Sequence, residues 1–239
     1  MLPLSARMPR AFGRRQMGSA TVLALLLVGA LVLAHRSSST HTGLPAGGPV
    51  PAARAVDATY AGIPEHGTTL GRPGAPTTLV LYADPQCPFC GRFERDALPD
   101  LVSHEVRSGA LRVELRPLTF IGPDSERAAR TLLAAGLQNR LWPLAALMAR
   151  YQGGENSGYV TATYLRRLTS AVAGLDVARV AGATGAAAVT RQLAAAKAAA
   201  VADHVDATPW LLLGPTGGRL THLDDRSPTA ADVRKELGR

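Results

Sequence analysis

The sequence predicts an α/β domain carried behind a single N-terminal apolar helix. The chain has 239 residues, 46% of them hydrophobic, which is enough to bury the core of one ordinary domain. Behind the apolar segment, the residue patterns follow the order strand, helix, strand, long helical region, hairpin and helix. No internal repeat is visible.

A buried central strand is predicted over 77–83, because the run TTLVLYA is apolar and partly β-branched and is bounded by turn-forming residues. Apolar side chains near helical spacing predict a helix over 89–108, with a kink at Pro99. The alternating residues 111–118 predict a second strand. These three elements form the first half of the predicted domain.

The second half is predicted to be mainly helical before it returns to the sheet. Helical patterns run from Ser125 to about Val205, with an interruption at Trp142-Pro143 and an alanine-rich stretch over 186–202. Glycine-rich residues 214–218 between two apolar runs predict a hairpin. Ser227-Pro228 is expected to open a last helix.

The positive charge of the chain is concentrated before the predicted domain. The formal net charge is +8, but six arginines and no acidic residue precede Asp57, so residues 57–239 carry 20 basic and 18 acidic side chains. Only 5% of the residues are aromatic, whereas nucleic-acid-binding proteins combine a basic surface with interleaved aromatic side chains. Nucleic-acid binding is therefore not expected.

Residues 17–34 are predicted to be a transmembrane signal anchor. They carry no charge and would form a helix of about 27 Å, close to the roughly 30 Å of bilayer hydrocarbon. Arginines in the basic leader 1–16 should keep that leader in the cytoplasm and place the rest of the chain on the extracytoplasmic side of the cell membrane. Residues 35–56 are predicted to be a flexible linker to the domain over 57–239. The alternative is a signal peptide that is cleaved after Ala34.

The most informative motif is Cys87-Pro88-Phe89-Cys90, which contains both cysteines of the chain and falls between a predicted strand and a predicted helix. Two sulfurs at this spacing can close a disulfide, and the N-terminus of a helix favours negative charge on the first one. Pro88 suits the first helical turn because it has no amide hydrogen and its φ is fixed. The motif predicts a redox-active pair in which Cys87 forms the thiolate.

Three other interpretations of the pair are disfavoured. A zinc site would need two further ligands, and no histidine lies at zinc-finger spacing, so neither a metal nor a cofactor is expected. A structural disulfide would close so short a loop that it would restrain the unfolded chain little. A cysteine hydrolase would need a nearby histidine base and no second cysteine.

Residues 79–90, preceded by Gly62-Ile63-Pro64 and by residues 70–76, resemble the exported DsbA-like thiol:disulfide oxidoreductases of the thioredoxin superfamily. Residues 152–158 are similar to the loop within the helical insertion of that family, and Ala207-Thr208-Pro209 is similar to its cis-proline loop. The resemblance spans roughly residues 60–225. It implies a thioredoxin-like α/β fold with an α-helical insertion over about 124–205, preceded here by the transmembrane helix.

The resemblance also implies the roles of individual residues. Cys87 is the exposed attacking sulfur and Cys90 is the buried resolving sulfur. A cis peptide bond before the proline leaves the preceding backbone free to pair with an extended client segment beside Cys87. The implied partners are cysteine-containing exported client proteins and a membrane quinone-linked thiol oxidase that re-oxidises the pair. The implied substrate-binding residues are Thr208, Pro209, Pro88 and Phe89.

Two positions depart from the family pattern. The buried acid that commonly lies six residues before the first cysteine is replaced by Leu81, and we assign no such role to Asp84. The proton of Cys90 is then left to water, or the reaction is more restricted in direction than in the family. Phe89 supplies no hydrogen-bond donor where the strongest oxidants have histidine, so we expect a potential between about −120 and −230 mV.

The predicted function is a membrane-tethered, exported thiol:disulfide oxidoreductase that forms disulfides in extracytoplasmic proteins. Two alternatives stay open: a reductase or isomerase on the same fold, and a non-catalytic peptide-binding module with a structural disulfide. The direction depends on the relative stability of the two redox forms, which the sequence does not reveal.

The predicted anchor can be tested by fractionation and N-terminal sequencing. Because residues 17–34 are long enough to span a bilayer, we expect the protein in the membrane fraction with its N-terminus retained. Mature chains that begin at His35 and occur in the soluble exported fraction would instead establish cleavage after Ala34.

Overall fold

The computed structural model of the protein describes residues 43–223 and 228–238. The predicted leader, the predicted anchor, the first residues of the predicted linker and Ser227 lie outside this part of the chain. Within the described ranges, no helix is both long enough and apolar enough to cross a bilayer.

The described residues form a mixed sheet of six strands in the order β1-β2-β4-β3-β5-β6. Strands β3 and β4 are parallel, and every other neighbouring pair is antiparallel. The strands are β1 (Glu65–His66), β2 (Thr69–Leu70), β3 (Thr77–Ala83), β4 (Leu111–Pro117), β5 (Trp210–Pro215) and β6 (Thr221–His222).

Helices surround this sheet and also form the long connection between β4 and β5. Helix α2 follows β3 directly, and five helices, α3 to α7, make up the connection. The helices are α1 (Ala53–Tyr60), α2 (beginning as Pro88–Arg92), α3 (Pro123–Gly136), α4 (Leu141–Arg150), α5 (Ala162–Ala171), α6 (Val177–Ala183), α7 (Ala187–Ala202) and α8 (Ala230–Leu237).

The predicted central strand and the predicted helical insertion are both found. Strand β3 lies between β4 and β5, where Leu81 pairs with Leu115 on one side and Leu211 on the other. Six of its seven residues are buried, which explains why its sequence is apolar rather than alternating. Strand β4 alternates buried and half-buried residues, as its sequence pattern predicted.

The distortion expected at Pro99 is found as a change of helical type. After its first segment, α2 continues through Phe93–Ala97, Leu98–Leu101 and Val102–Val106. The segments on either side of Leu98–Leu101, which contains Pro99, are π-helical. Proline has no amide hydrogen to donate, so the helix widens around it and continues.

The interruption predicted at Trp142-Pro143 lies a few residues earlier. Helix α3 ends at Gly136, Asn139 has a φ of 55°, and α4 begins at Leu141. Pro143 therefore sits in the first turn of α4, where its missing amide hydrogen costs nothing. The Glu65 carboxylate accepts hydrogen bonds from the Leu141 and Trp142 amides and so stabilises this helix start.

The two ends of the described domain also differ from expectation. Helix α1 lies partly inside the predicted linker 35–56, and Val50 is buried against the core. Arg167 fastens the chain just before α1, since its Nη2 donates to the carbonyls of residues 47 and 48 at 3.3 and 3.1 Å. The folded domain therefore begins before residue 57. At the other end, Thr229 caps α8 through a reciprocal pair of hydrogen bonds with Asp232.

Candidate active site

The two cysteines lie where β3 ends and α2 begins. Cys87 is the N-cap of α2, with extended backbone angles, and Pro88 is the first residue of the helix. The Cys87 amide donates to the Asp84 carbonyl at 2.9 Å, and the Cys87 carbonyl accepts from the Gly91 amide at 3.0 Å. This geometry places the first sulfur beside the free amides of the first helical turn.

The pair is more enclosed than the sequence suggested. Cys90 is 1% exposed, as expected for a resolving cysteine, but Cys87 is only 5% exposed, although it was expected to be exposed. The packing of Cys87 in the main core cluster and its contact with Thr208 account for this difference. Pro88 and Phe89 do face solvent, and Phe89 is 48% exposed. Both cysteines are free, so the structure describes the dithiol form.

The predicted cis-proline loop meets the cysteine pair. The Cys87 thiol donates to the Thr208 carbonyl at 3.2 Å, across 121 positions of sequence. The Thr208–Pro209 peptide bond is cis and Pro209 is buried. The structure therefore brings Thr208 to Cys87 and Cys90, while Pro88 and Phe89 form the exposed surface between the cysteines.

Hydrogen bonds lower the pKa of the Cys87 thiol to about 6. The largest cause is the hydrogen bond from the Cys90 thiol, and burial opposes it. The Thr208 side chain and the Cys90 and Phe89 amides lower the pKa further. The Thr208 carbonyl can accept only from the neutral thiol, so the donors decide the charge of the sulfur. Cys87 is predominantly a thiolate at neutral pH.

Cys90 has the opposite character. Burial raises the pKa of its thiol well above the ordinary value, and the hydrogen bond that it donates to Cys87 raises it further. At neutral pH the reduced pair therefore holds one proton, which is bound to the Cys90 sulfur and hydrogen-bonded to the Cys87 sulfur. The two thiols therefore differ in charge at neutral pH, and only Cys87 is a nucleophilic thiolate.

Asp84, which was assigned no role from the sequence, organises the loop before Cys87. Its side chain is fully buried, and its Oδ1 accepts from the Gln86 amide at 2.9 Å and from the Ser125 hydroxyl at 2.5 Å. Its Oδ2 accepts from the Ile121 amide at 3.0 Å. The carboxylate thus ties the end of β3 to the residues that follow β4 and to the start of α3.

Glu94 is a buried acid near the site that the sequence analysis missed. Burial raises the pKa of its carboxyl to about 8. It lines a cavity of about 10 Å³ together with Asp84, Gly91 and Gln152, which is close to the minimum space for one water molecule. The spacing could have revealed it, since a residue four positions after the buried Cys90 lies on the same helix face. A buried acid is therefore present on α2, although position 81 holds leucine.

Comparison with known proteins agrees with this architecture. A family model described as thioredoxin matches residues 64–218 of the chain. The chain belongs to the thioredoxin family. Within the family its fold is that of the DsbA proteins, in agreement with the motif resemblance. The thioredoxin-like fold with a helical insertion is likewise confirmed.

Several solved structures share the fold of this thioredoxin-family domain at low identity. Oxidised BdbD from Bacillus subtilis is 17% identical with a TM-score of 0.63, covering 72% of this chain and 90% of that one. Chlamydia trachomatis DsbA is 20% identical with a TM-score of 0.60, covering 72% and 89%. A thioredoxin-like oxidoreductase from Silicibacter pomeroyi is 24% identical with a TM-score of 0.58, covering 77% and 95%.

Parts of two curated proteins are also similar to this thioredoxin-family chain. The Na(+)/H(+) antiporter NhaA 1 of Mycolicibacterium gilvum is 38% identical over 81 residues, which are 34% of this chain and 13% of the antiporter. NhaA 1 of Salinispora arenicola is 34% identical over 95 residues, or 38% of this chain and 14% of the antiporter. The chain thus spans only about one seventh of the length of these relatives.

The low pKa of Cys87 predicts how alkylation depends on pH. The iodoacetamide rate at Cys87 should fall as the pH drops through about 6, because only the thiolate reacts. Cys90→Ser keeps a hydroxyl donor, whereas Cys90→Ala removes the largest cause of the shift, so the midpoint should be higher in Cys90→Ala. Identical midpoints in the two variants would show that Cys90 does not stabilise the thiolate.

The raised pKa of Glu94 predicts a pH dependence of stability. Unfolding lets this carboxyl ionise at its ordinary pKa, so its contribution to stability is fully present below that pKa and is lost as the pH rises through about 8. The stability of Glu94→Gln relative to the parent should therefore increase as the pH is raised from about 5 to about 8, the interval between the ordinary glutamate pKa and the pKa of Glu94 in the folded protein. Urea unfolding at both pH values measures this gain.

Glu155→Gln is the matched control for that measurement, because Glu155 is exposed. Its stability relative to the parent should be independent of pH over the same interval. A Glu94→Gln profile parallel to that of Glu155→Gln would contradict the assignment.

Proposed function

We propose that this protein is an exported, membrane-tethered thiol:disulfide oxidoreductase that donates the Cys87–Cys90 disulfide to client proteins. The thioredoxin family and the DsbA-like fold support the chemistry, and the apolar run over 17–34 supports the tether. The client class is proteins that contain cysteines and fold outside the membrane.

The observation that carries the oxidising direction is the stabilised Cys87 thiolate. Its donors act only in the dithiol form, because a sulfur within a disulfide carries no negative charge. Interactions that stabilise the reduced form make the disulfide a better oxidant. Passing the disulfide to a client therefore leaves the enzyme in its stabilised form, which favours transfer.

The reaction consists of two exchange steps. A client thiolate attacks the sulfur of Cys87, a client–Cys87 disulfide forms, and the Cys87–Cys90 bond breaks. The second client thiolate then attacks the client sulfur of this mixed disulfide and releases Cys87 as a thiolate. Two electrons pass from the client dithiol to the enzyme pair, and the client keeps the new disulfide.

Proton transfer follows from the pKa values of the two thiols. Cys90 leaves the first step as a thiolate and takes up a proton, because the pKa of its thiol is well above the ordinary value. Glu94 holds a proton at neutral pH and lines the small cavity beside Gly91, the neighbour of Cys90. We assign Glu94 to the exchange of this proton, in the place of the acid that is absent at Leu81.

Client binding is proposed at the backbone of Thr208, which the buried Pro209 follows, and at the exposed surface of Pro88 and Phe89. The Thr208 carbonyl already contacts Cys87, so an extended client segment paired there would bring its own sulfur to Cys87. The exposed ring of Phe89 adds apolar surface beside the reacting sulfur. After each cycle a membrane quinone-linked thiol oxidase would accept the electrons of the pair.

Equilibration in a glutathione series tests the direction of the reaction. We expect a potential between about −120 and −230 mV and rapid oxidation of a reduced dithiol peptide. A potential below about −300 mV would indicate a structural disulfide, and hence the peptide-binding alternative. Reshuffling of a scrambled client faster than oxidation of a reduced one would indicate an isomerase.

Two serine variants separate the roles of the cysteines. Cys90→Ser should accumulate mixed disulfides with disulfide-containing clients, because the Cys87 thiolate attacks a client disulfide, releases one client thiolate, and no Cys90 thiol is present to break the mixed disulfide. Cys87→Ser is the matched control and should trap few. Equal trapping by both variants would contradict the assignment of Cys87 as the attacking sulfur.

A further inference from the structure

One side chain of the helical insertion holds the main chain on both sides of Gln86. Nε2 of Gln152 donates to the Pro85 carbonyl at 2.9 Å and to the Cys87 carbonyl at 3.0 Å. Gln152 directly follows Tyr151 at the end of α4 and is 3% exposed. An amide group has two donor hydrogens, and both are directed at the active-site loop.

This contact acts on the residue that carries the attacking sulfur. The Cys87 backbone makes three hydrogen bonds: to Asp84 through its amide, and to Gly91 and Gln152 through its carbonyl. The first two are formed within the strand–helix connection itself, whereas the third comes from the insertion. The direction of the sulfur toward the Phe89 and Cys90 amides depends on this fixed backbone.

Gly91 is matched to Gln152. A Cβ atom at position 91 would lie 2.5 Å from Oε1 of Gln152, a distance that real Cβ contacts essentially never show. Gly91 lies within α2, where alanine would otherwise be the better helix former. The glycine thus leaves the space that the buried amide of Gln152 occupies, next to Nη1 of Arg95, which the same Cβ would meet at 2.8 Å.

The side chain of Gln86 is held separately. Its Oε1 accepts from the Asn156 amide at 2.8 Å, and its Nε2 donates to the Ser125 hydroxyl at 2.9 Å. The insertion therefore holds the loop at the main chain through Gln152 and at the Gln86 side chain through Ser125 and Asn156. Only the grip of Gln152 reaches the Cys87 backbone.

We propose that Gln152 is a positioning residue for disulfide exchange, which holds the Cys87 carbonyl so that the attacking sulfur stays aligned with the donors at the start of α2. The inference rests on the proposed function and deepens it. Gln152 forms and breaks no covalent bond, and its amide stays in place while the Cys87 sulfur changes partner.

The test compares Gln152→Leu, Gly91→Ala and the double variant with the parent. Gln152→Leu removes both donors at similar volume, and Gly91→Ala displaces the same amide from the other side. Each should raise the alkylation midpoint of Cys87 toward the ordinary value of about 8.5. Each should also shift the glutathione equilibrium toward the disulfide by roughly threefold or more.

The double variant shows whether the two positions act together. If Gly91→Ala acts by displacing Gln152, it should have little further effect once Gln152 is leucine, so the two single effects should not add. Additive shifts would overturn the matching of Gly91 to Gln152. Gly91→Ala also keeps the test decisive if Gln152→Leu does not fold.

Gln138→Leu is the control variant, because it removes a glutamine that also hydrogen-bonds to main-chain groups but lies elsewhere in the insertion. Its amide bonds the Asp176 backbone and does not contact the active-site loop. It should leave the midpoint and the equilibrium unchanged. A Gln152→Leu variant with a lower melting temperature but the midpoint and equilibrium of the parent would reduce Gln152 to a structural residue and overturn the proposal.

The proposed function and this inference fail differently. A parent that does not oxidise a dithiol peptide would overturn the proposed function. The alkylation midpoints need no client, so an unchanged midpoint in Gln152→Leu would overturn the positioning role whatever the parent does to peptides.

Discussion

The connection between β3 and α2 has four residues and is almost completely enclosed, so each of its polar groups needs a partner inside the protein. Asp84 and Gln86 are fully buried and find their partners in three other segments of the chain. This requirement fixes the loop that presents Cys87. The helix start, the thiolate and the contact with Thr208 all depend on that loop.

The helical insertion is therefore part of the redox site as well as its cover. Ser125 lies in the first helix of the insertion, and Gln152 and Asn156 lie between two later ones. A Cys-Pro-Phe-Cys segment alone specifies only that two sulfurs can meet. The surrounding segments determine which sulfur carries charge, how deeply it is buried and which groups can exchange its proton.

The strand and helix that carry the motif could be predicted because their signals are local. The predicted strand over 77–83 has the same limits as β3 in the structure. The motif and the family resemblance also identified the cysteine pair and Thr208-Pro209, which meet in the structure. Strands β1 and β2 have two residues each, too few for a periodic pattern, and α1 follows a glycine- and proline-rich stretch that suggested a linker.

The supporting contacts could not be predicted because they join distant positions. The hydrogen bond from Gln152 to Cys87 spans 65 positions, and nothing near either residue encodes it. The enclosure of Cys87 has the same origin, since it depends on Thr208, 121 positions away. The spacing of Glu94 from Cys90 could have indicated a position on the same helix face. That its carboxyl is protonated at neutral pH follows only from its burial in the folded structure.

The unequal thiols also set the proton stoichiometry of the redox couple. Above pH 6 the reduced pair keeps the proton of Cys90 and not that of Cys87, so reduction takes up two electrons but one proton. The potential should then vary by about 30 mV per pH unit, half the slope of a couple that takes up two protons. Reduction also adds one negative charge to the domain. As the pH falls below the pKa of Cys87, the reduced pair takes up a second proton and the dependence of the potential on pH becomes steeper. The potential of this couple therefore depends on the pH of the compartment in which the domain lies.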